Sequence, residues 1–276
     1  MYEKSYHKTV LKTDVKPEQS KQRVNWKLIL WLSLGAILIA GIIVLIKLPR
    51  LQINNIEVVG ANVADPGDVT EFVKMELQGK KLFFLPKTSI ILVPEHKLEK
   101  DLKAQFSRFQ TVRVSRKNFS TLTVTVSEYQ GVYLWCSDEE NCYFMDQNGI
   151  AFAPAPVFSG SAYIKIFGGT VQPLPFQALS TAQNDRVTLL LTKLPAIMIV
   201  PTEFHFTSDH QLDVLFNHDG HQASIMFDPM ADTQDALNVL FTGLRTNPLA
   251  TKFHDSSKVL EYIDLRFSNR VVYKFQ

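Results

Sequence analysis

Four of the seven histidines in this sequence lie close enough together to suggest a metal site. His205, His210, His218 and His221 fall within a short segment. Imidazole nitrogens bind zinc, and the ends of hairpins can bring such side chains together. The local pattern favours another interpretation, because His205 alternates with phenylalanines on a strand and the other three occupy polar turn positions. We therefore expect no metal site and no cofactor, and a metal-binding protein remains an alternative.

The sequence contains two cysteines, Cys136 and Cys142, and these residues could form a covalent link. Five polar residues separate them, between two segments that contain aromatic residues, which predicts a hairpin loop with a cysteine at each end. A disulfide there would stabilise the fold by about 2 kcal/mol through loop closure. Unpaired thiols, or a role in metal binding or redox chemistry, remain alternatives, although the spacing is not that of a C-x-x-C redox motif.

Motifs of enzyme active sites are missing from the sequence. It contains no G-x-S-x-G, no H-E-x-x-H and no glycine-rich phosphate-binding loop. We therefore expect a protein that is not an enzyme.

The C-terminal residues are the strongest candidates for binding a partner protein. A terminal strand can form an open sheet edge that accepts another chain, and arginine and aromatic side chains often anchor interfaces. Alternatively, the strand completes the core sheet and Asp264 pairs with Arg266. The candidate partner-binding residues are Arg266, Phe267, Val271, Val272, Tyr273 and Phe275.

One long apolar segment determines where these residues can act. Leu28–Ile46 contains nineteen residues without a charge. As a helix it would measure roughly 28 Å, close to the hydrocarbon thickness of a bilayer. We predict a transmembrane helix over residues 28–48. A cleaved signal peptide is the alternative, but its apolar part would be shorter.

Charges predict the orientation of this helix. Seven basic and three acidic residues precede it, which favours a cytoplasmic N-terminus and an extracytoplasmic C-terminal bulk. From Arg50 onward, 21 basic residues stand against 24 acidic ones, so nucleic-acid binding is not expected. Residues 1–27 are polar without an apolar period, as in a disordered cytoplasmic tail.

Residues 51–128 show the pattern of a small α+β domain. The segment from Leu51 to Gly60 reads as a strand, and Asp65-Pro66 provides a helix N-cap with proline at the first helical position. A second helix is predicted from Pro94. The segments 111–116 and 122–126 alternate as strands. The predicted order is β-α-α-β-β.

Residues 129–276 are predicted to form a strand-rich domain with one or two helices. Asp219-Gly220 lies between two alternating apolar segments, which is a strong signal for a β-hairpin. An apolar stripe predicts a helix from near Asp232. A second helix is predicted near Asn184–Leu194.

Four short motifs follow one another in a specific order behind the apolar segment. They are Ile56–Gly60 (IEVVG), Leu122–Glu128 (LTVTVSE), Asp146–Phe152 (DQNGIAF) and Tyr262–Phe267 (YIDLRF). In order, spacing and position the chain resembles the cell-division protein FtsQ/DivIB family. The resemblance implies a POTRA domain over 51–128 and an FtsQ-type β-domain over 129–276 that ends in a partner-binding strand.

The resemblance also implies a function. Such a chain would be a bitopic scaffold of the bacterial divisome in the cell (inner) membrane at the septum. It would bind FtsB/DivIC-like and FtsL-like division proteins and help to control septal peptidoglycan synthesis. Two alternatives remain: a membrane-anchored envelope metal-binding protein or enzyme, and a POTRA-bearing chaperone or transport component.

Overall fold

The structure, a computed structural model, describes residues 26–81, 85–158, 162–208, 211–267 and 269–276. Residues 1–25 of the predicted tail and His210 lie outside these ranges. The described part of the chain is a mixed α/β protein with six α-helices, and its buried apolar side chains form two separate clusters.

The first helix, α1, extends from Trp26 to Ile46 and confirms the predicted N-terminal apolar helix. At about 1.5 Å per residue, its 21 residues measure about 31 Å. The window Ile29–Ile46 has a mean hydropathy of 2.8, and almost all of it is exposed. This helix is therefore long and apolar enough to span a membrane, and it begins and ends two residues earlier than predicted.

The first globular unit has the predicted order of helices and long strands. Two additional two-residue strands form a small hairpin between its helices. In chain order the elements are β1 (Asn55–Val59), α2 (Pro66–Glu76), β2 (Lys80–Lys81), β3 (Leu85–Pro86), α3 (Glu95–Gln105), β4 (Phe109–Arg116) and β5 (Thr121–Glu128).

One mixed three-stranded sheet supports this unit, with the order β1-β5-β4. Strand β5 is parallel to β1 and antiparallel to β4. The alternating residues Leu122, Val124 and Val126 of β5 are all buried, in the cluster that the sheet forms with α2 and α3.

Two of the sequence motifs meet where β1 ends. Gly60 has φ +89°, and a Cβ there would lie 2.1 Å from the carbonyl oxygen of Val126, so only glycine fits without a shift. The Glu128 carboxylate then accepts hydrogen bonds at 3.0 Å from the N–H groups of Asn62, Val63 and Ala64. Gly60 of the first motif permits the close approach of two backbone segments. Glu128, the last residue of the second motif, stabilises the loop after β1 through these hydrogen bonds.

The second unit contains one ten-stranded sheet and three helices. Its strands are β6 (Tyr133–Cys136), β7 (Cys142–Met145), β8 (Ile150–Pro154), β9 (Lys165–Phe167) and β10 (Phe176–Gln177), followed by helix α4 (Thr181–Lys193), strands β11 (Pro201–Ser208), β12 (Gln211–His218) and β13 (His221–Phe227), helices α5 (Thr233–Gly243) and α6 (Leu249–Phe253), and strands β14 (Leu260–Asp264) and β15 (Val272–Phe275).

Local signals in the sequence predicted several of these elements correctly. Asp219 and Gly220 have positive φ angles in the turn between β12 and β13. Asp232 caps α5, because its carboxylate accepts hydrogen bonds from the N–H groups of Gln234 and Asp235. Ser180 begins α4, the second predicted helix, with a capping box.

The order of the strands in the large sheet is β10-β8-β7-β6-β9-β11-β12-β13-β14-β15. Three neighbouring pairs are parallel, namely β6/β9, β9/β11 and β13/β14, and the rest are antiparallel. The two ends of the sheet are the two-residue strand β10 and the C-terminal strand β15.

An aromatic contact joins the two units. The Arg108 guanidinium lies over the rings of Phe144 and Phe152, with its central carbon 5.7 and 5.3 Å from their centroids. The N–H of Tyr129 donates to the carbonyl of Arg108 at 3.0 Å. The junction is therefore held by backbone and side-chain contacts, which the sequence analysis did not predict.

Candidate functional site

The C-terminal strand β15 lies at one end of the ten-stranded sheet. Within the described residues its single strand neighbour is β14, with Tyr262 opposite Lys274 and Asp264 opposite Val272. Its other side therefore faces no strand in the described part of the chain. An edge of this kind presents N–H and C=O groups that can pair with an added chain.

The backbone register decides which groups of β15 point away from the sheet. The N–H of Gln276 donates to the carbonyl of Val259 at 2.8 Å, and the N–H of Val259 donates back at 3.4 Å. In an antiparallel pair, successive residues point alternately toward and away from the neighbour. The backbone N–H and C=O groups of Val272 and Lys274 therefore point toward β14. The same groups of Tyr273 and Phe275 point away from β14.

The side chains of β15 divide between the two faces of the sheet. Tyr273 and Phe275 are half-buried against the larger apolar cluster, and their ring centroids lie 5.8 Å apart. On the other face, the Lys274 ammonium lies 2.6 Å from the Glu261 carboxylate. The hydrogen bond to Lys274 lowers the pKa of Glu261, and the same bond raises the pKa of Lys274. The aromatic pair thus anchors the strand, and its outward backbone groups have no hydrogen-bond partner within the described residues.

A cavity of about 490 Å³ lies beside the strand, between α5, α6 and residues 269–273. Its apolar lining includes Val239, Leu249 and Tyr273. Val271 packs tightly against α5, because a Cβ at Gly243 would lie 2.9 Å from the Val271 Cγ2. The cavity and the outer edge of β15 share Tyr273, so one partner segment can contact both.

Arg266, a predicted partner-binding residue, is occupied within the chain. Its Nε and Nη2 donate to the two carboxylate oxygens of Asp264 at 3.0 and 2.7 Å, and its Nη1 donates to Gln211 at 3.0 Å. Burial of Asp264 opposes ionisation, but the hydrogen bonds and the charge of Arg266 hold the pKa of this carboxyl below its ordinary value. The alternative of a structural ion pair therefore describes Arg266 best.

The other predicted contact residues fall into two groups. Phe267 is 42% exposed, and the guanidinium carbon of Arg270 lies 4.4 Å from its ring centroid. Val272 is 37% exposed on the outer part of the sheet, whereas Val271 packs against the core. Of the predicted set, only Phe267 and Val272 present an exposed apolar side chain.

The three described histidines of the cluster do not form a common metal-binding group, although His218 and His221 lie opposite each other in the β12–β13 pair. His205 stacks on Phe167 at 4.4 Å, with its Nε2 2.9 Å from Glu203. His218 and His221 differ from the predicted polar turn residues, because His218 ends β12 and His221 begins β13. The His218 ring centroid lies 4.4 Å from that of Phe253, and 12% of the His218 side chain is exposed. In the described ranges, no three histidine, cysteine or acidic side chains are placed to hold a metal ion.

Cys136 and Cys142 form a disulfide in the structure. They are cross-strand neighbours at the ends of β6 and β7. Asp138 organises the intervening loop, since its Oδ1 accepts hydrogen bonds from the N–H groups of Glu140 and Asn141 at 3.0 and 2.8 Å. Hydrogen bonds from Asn141 lower the pKa of Asp138. The link closes a tight surface loop far along the sheet from β15.

A larger cavity, of about 670 Å³, lies in the first unit between β1 and α2. Charged and polar side chains such as Glu71, Lys74 and Gln78 form much of its lining. It adjoins β1, one of the two edge strands of the three-stranded sheet in the described residues. We favour the site at β15, because its cavity contains one charged side chain, that of Arg270, and because the exposed side chain of Val272 lies on the edge strand itself.

The cavity beside β15 was not predictable from the sequence, because it depends on how α5 and α6 pack against residues 269–273. The signal in the sequence that could have indicated this cavity is Gly243, a residue without a side chain within the apolar stripe of α5. No protein-family model and no curated protein matches this chain.

Proposed function

We propose that this chain is a non-enzymatic, bitopic membrane scaffold of the FtsQ/DivIB type that recruits division proteins at the bacterial septum. In this proposal α1 spans the cell (inner) membrane with the N-terminus in the cytoplasm, the first unit is a POTRA domain, and the second unit is the partner-binding β-domain. The partners are FtsB/DivIC-like and FtsL-like proteins with single spans of their own.

The observation that carries the proposal is the position of β15 at the open end of the large sheet. Strand addition uses main-chain hydrogen bonds for affinity and neighbouring pockets for specificity. The outward backbone groups of Tyr273 and Phe275 supply the former, and the adjoining cavity supplies the latter. A disulfide in the second unit is consistent with an extracytoplasmic position.

Two measurements on the full-length chain test the proposal. The first captures the tagged chain from membranes of its source organism and identifies the co-purifying proteins, with small single-span coiled-coil proteins as the expected result. The second follows a fluorescent fusion during division, with accumulation at the septum as the expected result. Uniform distribution over the membrane, together with capture of unrelated proteins, would refute the assignment to the divisome.

A further inference from the structure

The linker that joins α1 to the first globular unit has an ordered structure. After α1, residues 49–51 form a 3₁₀ turn. The N–H of Ile90 donates to the carbonyl of Leu51 at 2.8 Å, and the N–H of Ile53 donates to the carbonyl of Thr88 at 2.9 Å. The linker is therefore fixed to the folded unit within a few residues of the helix.

The tip of the hairpin between β4 and β5 lies at the end of the first unit that this linker enters. The N–H groups of Asn54 and Asn55 both donate to the carbonyl of Ser120, at 2.9 and 3.2 Å. Ser120 directly follows Phe119, the residue at the hairpin tip. Asn54 and Asn55 lie where the linker joins β1. Because both bond to Ser120, the neighbouring Phe119 lies on the side of the first unit that faces the end of α1.

Three segments each contribute one exposed apolar side chain to this end. Leu48 of the linker, Ile91 of the turn before α3 and Phe119 of the hairpin tip are exposed, and Phe119 is 75% exposed. We call these three residues the linker rim. Isolated exposed apolar residues are common on protein surfaces. These three differ because the chain itself holds them next to the end of an apolar helix.

The basic side chains beside the linker rim are complementary to an anionic surface. Lys47 and Arg50 are exposed, and neither forms an ion pair within the described residues. The nearby Lys117 is already paired with Glu57 at 2.8 Å. Lys47 and Arg50, which immediately follow α1, are therefore not neutralised by an acidic side chain within the described residues.

The length of the linker limits how far the rim can lie from a bilayer. If α1 spans the hydrocarbon layer, Ile46 lies near the boundary with the headgroups. Four residues lie between Ile46 and Leu51, and the five Cα–Cα steps that join these two residues reach at most about 17 Å even when extended. The 3₁₀ turn shortens this reach. The headgroup region itself extends about 5–8 Å on each side of the hydrocarbon layer.

We propose that the linker rim rests in the lipid headgroup region of the outer leaflet. Leu48, Ile91 and Phe119 insert toward the hydrocarbon boundary, and Lys47 and Arg50 bind lipid phosphates. This contact holds the first unit in a set orientation instead of leaving it to rotate about the linker. The inference rests on the proposed span of α1.

Fluorescent labels on the full-length chain in phosphatidylcholine–phosphatidylglycerol vesicles test this inference. Phe119→Cys supplies the single free thiol for an NBD label while Cys136 and Cys142 stay paired. Val63→Cys is the matched control, because Val63 is 69% exposed and lies beside Glu128, about 23 Å away along β5. A label at Leu38→Cys reports on the span itself. Each label is exposed to lipids that carry a nitroxide quencher.

We expect blue-shifted emission and several-fold stronger lipid quenching at position 119 than at position 63, with strong quenching at position 38. Equal, water-like signals at 119 and 63 with strong quenching at 38 would overturn the rim contact and leave the span intact. Weak quenching at 38 would overturn both. Loss of the signal at 119 in vesicles of phosphatidylcholine alone would also overturn insertion of the apolar residues, because charge alone would then explain it.

Discussion

Replacing Tyr273 with proline tests strand addition at β15 most directly. The N–H of Tyr273 faces away from β14, so proline removes one outward donor and no hydrogen bond of the native sheet. An added strand would lose at least one hydrogen bond, with a net value of about 0.5–1.5 kcal/mol, or about two- to thirteen-fold in Kd. The residue before the proline, Val272, is already extended, as this position requires.

Two control variants separate this effect from others. Tyr273→Ala removes the ring and its contact with Phe275 but keeps the N–H, so the difference between the two variants isolates the backbone donor. Lys274→Pro removes an N–H that faces β14 and is expected to lower the stability of the domain itself. Affinity for the extracytoplasmic part of the captured partner is measured by calorimetry, and folding is checked by thermal unfolding.

The expected order of affinity is wild type, then Tyr273→Ala, then Tyr273→Pro, with the two variants similar in stability. Equal affinity of the alanine and proline variants would refute strand addition through this residue. Binding would then depend on the side chain and the cavity. Loss of folding in the proline variant would instead contradict the deduced direction of the N–H, and Phe275→Pro would repeat that test at the other outward position.

Three further predictions follow from contacts of the described residues. Gly243→Ala places a Cβ 2.9 Å from the Val271 side chain. We therefore expect a loss of about 1–3 kcal/mol in the free energy of unfolding, together with weaker partner binding. Unchanged unfolding in urea would contradict this contact. Glu128→Ala leaves three backbone N–H groups without their acceptor and is expected to lower the free energy of unfolding by about 2–4 kcal/mol. Glu128→Gln keeps one acceptor oxygen, so the loss should be smaller. Denaturant titration of the two variants checks this order. The folded-state pKa of Asp264 lies below its ordinary value of 3.8, so its contribution to stability is present above that value and is lost as the pH falls through the lower folded-state pKa. Unfolding free energies of wild type and Asp264→Asn between neutral and strongly acidic pH should therefore converge at the acidic end, and a constant difference would refute the assignment.

The individual helices and hairpins were predictable because their signals are local. The apolar length of α1, the N-caps Asp65 and Asp232 and the turn at Asp219-Gly220 each depend on interactions within a few residues. The alternation of β5 likewise fixed which of its side chains are buried. Such features require no knowledge of the partner element.

The arrangement of the strands was not predictable in the same way. The parallel pairs β6/β9, β9/β11 and β13/β14 join segments that are distant in sequence. Hydrophobic alternation states which face of a strand is buried, but it does not state which strand lies beside it. The contact of Arg108 with the aromatic rings of the second unit is invisible in the sequence for the same reason.

For the candidate site, the sequence by itself determined that an apolar strand ends the chain and that arginine and phenylalanine precede it. Only the tertiary structure decided that β15 is an edge strand in the described part of the chain, that Arg266 is occupied by Asp264, and that a cavity adjoins Tyr273. The physical reason is that exposure and pairing depend on every element packed around a residue. A residue type supplies the chemical groups, and the packing of the whole domain leaves some of them free to bind.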